Sequence, residues 1–125
     1  MSVIAFTISG MVPAKKNSKR MVWAHGRKLL IPSQRHNDWH ADAEKQLTIL
    51  RPQCVGSTSL IRASFYVSDN RRRDLSNMWE SVGDLLVDFG ILEDDCWQKT
   101  GPIELVPMGI DKENPRVLVE LFTVD

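Results

Sequence analysis

The sequence predicts an α+β fold: a single domain in which two main helices cover a mixed β-sheet. Three observations carry this. Residues 3–8, 59–67, 103–108 and 117–124 are rich in β-branched residues or alternate, as strands do. Residues 34–50 and 76–89 repeat apolar positions at helical spacing. Strands and helices mix along 125 residues with no linker or internal repeat, which is the size of one ordinary domain.

Each element has a local reason. Val3–Ile8 alternates, and Gly10, Pro13, Asn17 and Ser18 then mark GMVPAKKNSKR as a loop. Met21–Ala24 and Lys28–Ile31 flank His25-Gly26, the pattern of a short hairpin. Ser33 is the expected N-cap of the first helix, which must stop before Pro52. Its apolar positions are Trp39, Ala43, Leu47 and Leu50. In Ser59–Val67, period two puts Ile61, Ala63, Phe65 and Val67 on one face and Leu60, Arg62, Ser64 and Tyr66 on the other. Residues 68–74 form a charged loop. The second helix carries the stripe Met78, Val82, Leu85, Leu86, Phe89 and stops at Gly90. The last two strands are joined through the turn-rich DKENPR.

Composition is that of a globular protein, 42% hydrophobic and 26% charged. The N-terminal MSVIAFTISG is too short and mixed for a signal peptide, and no apolar run approaches bilayer-spanning length. A cytoplasmic protein without a membrane partner is the expectation. Cys54 and Cys96 share no close-spaced motif and read as reduced structural cysteines. The net charge of zero conceals an asymmetry. Residues 1–73 hold 13 Lys/Arg against 4 Asp/Glu, and residues 74–125 hold 3 against 12, so the halves are +9 and −9. Such a division fits a basic surface for a polyanion with an acidic site elsewhere, or a neutral mosaic once the halves interleave.

The acids have a pattern. Asn77, Glu80, Asp84 and Asp88 share one helical face, Asp74 precedes the helix, and Asp94 and Asp95 follow it. No lysine at i+4 relieves that face. If the chain folds back after Gly90, Asp94 or Asp95 joins the helix in a carboxylate cluster suited to magnesium, which polarises phosphate and activates water. The alternative is a solvated helix face with Asp74 as a cap. Three arginines, Arg71, Arg72 and Arg73, precede Asp74 and suit a phosphate. Lys15, Lys16, Asn17, Lys19 and Arg20 are phosphate-binding types in a loop. Trp23, Trp39, Trp79 and Trp97 serve either the core or base stacking. His25, His36 and His40 form no metal pattern and receive no role.

The order of these motifs, VPAKKNSKR, then RRRDLSN, then DLLVDFGILEDD, resembles the RusA family of Holliday junction resolvases, often carried by phages and prophages. The resemblance covers most of the chain. It implies a RusA-like fold and a homodimeric, magnesium-dependent endodeoxyribonuclease, with manganese able to substitute. Such an enzyme nicks a four-way DNA junction symmetrically and leaves a 5′-phosphate. By motif position, Asp74 and Asp95 match family metal-binding aspartates, Asn77 the motif asparagine, and Asp94 the first of the paired acids. The best-known members read Asp-Leu-Asp-Asn, so Ser76 stands where they have a second catalytic aspartate, and Glu80 where they have a lysine. Glu80 lies one turn beyond Ser76 and is the expected replacement carboxylate. Asp74, Glu80 and Asp95 are then the catalytic set, with Asp84 and Asp94 as outer or alternate ligands. The other outcome is a weakly active or non-catalytic branched-DNA binder.

Overall fold

The computed structural model describes residues 1–14 and 19–124, and of residues 19, 20, 22, 24 and 30–32 the backbone alone. The elements in order are β1 (Ser2–Ser9), β2 (Lys19–Ala24), β3 (Arg27–Pro32), α1 (Gln34–Leu50), β4 (Leu60–Val67), α2 (Leu75–Asp88), α3 (Trp97–Thr100), β5 (Ile103–Ile110) and β6 (Arg116–Thr123). Four strands form one sheet in the order β1-β6-β4-β5. Only the β4–β5 pair is parallel, so the sheet is mixed. The short α3 has no counterpart in the sequence expectation, because four residues show no periodicity.

The register explains the core. Ile4, Leu121 and Ile61 align across the sheet, as do Phe6, Val119 and Ala63, and Ile8, Val117 and Phe65. These rows point to one face, where α1 adds Trp39, Ala43 and Leu47 and α2 adds Met78, Val82, Leu85 and Leu86. The opposite face carries Arg62, which pairs with Glu104 at 3.2 Å and Glu120 at 3.7 Å. The two-layer arrangement follows from period two in the strands and period 3.6 in the helices.

The two long helices, α1 and α2, are capped at their starts by side chains. The Ser33 hydroxyl accepts the His36 N–H at 3.2 Å, as expected. The buried stripe of α1 is His36, Trp39, Ala43 and Leu47, whereas Leu50 is 49% exposed. Periodicity identifies the inward face of a helix; it does not say where the layer beneath it ends. α1 closes at Arg51, whose backbone is left-handed (φ 50°) and whose N–H reaches Leu47 at 2.8 Å.

The segment after β1 is held in place. Gly10 N–H donates to the Pro115 carbonyl at 2.8 Å, Val12 is buried, and the Ser81 hydroxyl donates to the Pro13 carbonyl at 2.6 Å. This last bond is buried and ties residues 10–14 to α2. Ser81→Ala would leave the Pro13 carbonyl without that donor. A loss of about 1–3 kcal/mol is expected, read as a lower midpoint in chemical denaturation. An unchanged midpoint would show that the bond carries no stability.

Candidate metal and nucleic-acid site

The loop between β4 and α2 is organised by one carboxylate. Asp69 Oδ1 accepts the Arg71 N–H at 3.0 Å and Arg73 Nη2 at 2.5 Å. Arg73 Nη1 also donates to the carbonyls of Asp69 (2.8 Å) and Arg71 (3.2 Å). The Arg73 side chain is only 16% exposed and its donors serve the loop. Arg71 is 82% exposed, and Arg72 is exposed as well. The three arginines therefore divide into one that shapes the loop and two that face outward.

Asp74 follows as the N-cap of α2. Its Oδ1 accepts the Ser76 N–H at 3.0 Å and the Ser76 hydroxyl at 2.6 Å. Cap and candidate ligand are thus one residue, with its charge at the positive end of the helix dipole. Ser76, in place of a second carboxylate, serves as a hydrogen-bond donor that orients the first. Ala14, Arg72, Arg73, Asp74 and Leu75 line an open cavity of about 510 Å³. The segment that Ser81 ties to α2 therefore ends beside Asp74. Lys15, Lys16 and Asn17, and the side chains of Lys19 and Arg20, lie outside the described residues.

The chain does reverse after α2, but at the wrong place for the expected cluster. Gly90 takes φ 88°, and the N–H groups of Ile91 and Leu92 return to the Leu86 carbonyl at 2.9 and 3.2 Å. Leu92 then bridges to Gly56, Glu93 N–H donates to the Gly56 carbonyl, and Thr58 N–H donates to the Lys99 carbonyl. These bonds hold Asp94 and Asp95 at the end of the sheet where β4 begins. Asp74 sits at the other end, beyond the Val67 terminus of β4. α2 runs between them, and its 14 residues span about 20 Å. The expectation that one chain folds Asp95 back beside Asp74 is therefore corrected. Among the described residues, no group of three or more His, Cys, Asp or Glu is arranged to hold a metal ion. Glu80, Asp94 and Asp95 are exposed and Asn77 half-buried.

Asp84 and Asp88 turn elsewhere. They line a groove of about 680 Å³ against α1, with His36, Asn37, His40, Ala41, Glu44, Lys45 and Thr48. His40 spans it: Nδ1 lies 2.7 Å from Glu44 Oε1, and Nε2 lies 3.0 Å from Asp88 Oδ2. A histidine from α1 thus reaches across the groove to Asp88 on the acidic face of α2. His36, His40 and Glu44 at i, i+4, i+8 on α1, facing Asp84 and Asp88 at i, i+4 on α2, were the sequence signal for this contact.

The tryptophans also divide. Trp39 is core and Trp79 packs against the core, whereas Trp23 is 70% and Trp97 75% exposed. Cys54 and Cys96 are free thiols. No helix among the described residues is long and apolar enough to cross a membrane. No protein-family model matches the chain, and no curated protein matches it.

Asp69 gives this site a pH dependence. Its carboxyl lies below the ordinary 3.8, held there first by the Arg71 N–H and then by the Arg73 guanidinium. A depressed folded-state value means the ordering is complete above pH 3.8 and fails as pH falls through the lower folded value. Asp69→Asn should speed hydrogen exchange at the Arg71 amide at neutral pH and flatten its acid response. Equal exchange in both proteins would remove Asp69 as the organiser of the loop.

Proposed function

We propose that the chain is a RusA-like, magnesium-dependent endodeoxyribonuclease that nicks four-way and other branched DNA as a homodimer in the cytoplasm. The observation that carries this is the convergence at the start of α2. A capping carboxylate (Asp74), the outward Arg72, the loop-fixing Arg73 and Ala14, which precedes the basic 15–20 stretch of the sequence, line one cavity, with Arg71 exposed on the same loop. Arg71 and Arg72 suit the phosphate backbone, with Arg73 fixing the loop that presents them. Selectivity would rest on branch shape more than on base contacts.

The metal set cannot be complete within one chain if Asp95 belongs to it, given the helix that separates Asp95 from Asp74. A twofold dimer offers a remedy, because the partner can present its other end. In this arrangement Asp74 and Glu80 of one chain act with the partner subunit's Asp95, and Asp94 is its neighbour. Asp84 is assigned to the α1 groove rather than to this set. When bound, magnesium supplies charge neutralisation on the scissile phosphate and an activated water, which needs few carboxylates because the ion keeps several waters. The residues of the chain cap, orient and hold the backbone.

The second reading is a branched-DNA binder that cuts slowly or not at all. The Ser76 hydroxyl favours it, since it occupies Asp74 Oδ1 and contributes no charge. Nicking of a synthetic junction in millimolar magnesium separates the two. Asp74→Asn is expected to lower nicking at least about 100-fold while sparing binding. Mixing Asp74→Asn with Asp95→Asn chains is expected to restore nicking of one strand, because a mixed dimer keeps one intact pair. A mixture as inactive as its components refutes the shared site. Binding without nicking in the unaltered protein supports the second reading.

A further inference from the structure

Among the described residues, strands β2 and β3 form a separate two-stranded sheet, paired from Lys19↔Pro32 to Ala24↔Arg27. His25 (φ 52°) and Gly26 (φ 72°) both take positive φ, the type I′ geometry that matches the twist of a two-stranded ribbon. Six residues per strand give an arm about 20 Å long. An isolated ribbon stabilises itself poorly, so apolar residues on it need another reason. Yet Met21, Trp23 and Leu29 are exposed, as are Arg27 and Lys28 at the tip. Lys28 Nζ lies 5.4 Å above the Trp23 ring. Residues 19–32 contain Lys19, Arg20, Arg27 and Lys28 and no acid.

We propose that the β2–β3 hairpin is a DNA-binding arm in which Arg27 and Lys28 follow the phosphate backbone and Trp23 stacks on an unpaired base at the branch. This rests on the DNA reading above and extends it to a part of the molecule remote from Asp74 in sequence. Three features select DNA as the occupant. The charge of the segment is of one sign and complements a polyanion. A two-stranded ribbon fits the major groove, which is about 12 Å wide. An exposed indole with a cation over one face stacks on any base, and branch points supply unpaired ones.

The test is fluorescence anisotropy on a labelled four-way junction without divalent metal, across a salt series. Trp23→Ala should weaken binding about tenfold with little change in salt slope, and Trp23→Phe should recover most of the loss. Arg27→Ala/Lys28→Ala should flatten the slope of log K against log salt by about 2. Thermal midpoints should not move, because Trp23, Arg27 and Lys28 are all exposed. If the unaltered protein binds and the variants bind equally with the same slope, the arm has no DNA role and the nuclease reading stands. If the unaltered protein binds no DNA, both fall. If Trp23→Ala dissociates a dimer in sedimentation while affinity per dimer holds, a second copy covers the hairpin and the proposal is wrong.

Discussion

Because β4 and β5 run in the same direction, the chain between them must return along the sheet before β5 can begin. α2 makes that return, and its apolar stripe covers the inner face as it does so. Most of the molecule depends on this crossover. It places the 68–74 loop and Asp74 where β4 ends, and Asp94, Asp95 and α3 where β4 begins. Residues that are close in the motif are thereby held a helix length apart.

The crossover also explains how charge is managed. α2 must present a polar face outward, and that face is acidic. Packing α1 alongside brings His40 within hydrogen-bonding distance of Asp88. On the outer face of the sheet, Arg62 from the basic half meets Glu104 and Glu120 from the acidic half. The two halves interleave there. What stays segregated is the hairpin, where residues 19–32 hold four cations and no acid, whereas at the start of α2 the arginines meet Asp69 and Asp74. Exposed ion pairs of this kind add little stability.

Asp74 has a structural role as a cap and, in the proposed reading, a chemical one as well. As a cap it holds α2 by the Ser76 amide and hydroxyl. In the proposed reading it is a carboxylate beside the outward Arg72, placed for a cation near phosphate. Asparagine in its place keeps capping capacity and loses the charge, which is why that substitution separates the two roles.

Strand alternation, the Ser33 cap, the His25-Gly26 turn, the stop at Gly90 and the inward faces of α1 and α2 were all legible in the sequence. Each is decided by steric and hydrogen-bonding rules acting over a few residues. Several facts required the tertiary structure: that Arg73 turns inward to Asp69, that Asp88 meets His40, that Trp23 is exposed, and that the segment carrying Asp95 is bonded beside the start of β4 while Asp74 caps α2 beyond its end. All four turn on which elements become neighbours and on the direction of β4 relative to β5. Neighbour choice is set by packing summed over the entire core, and no local pattern encodes it.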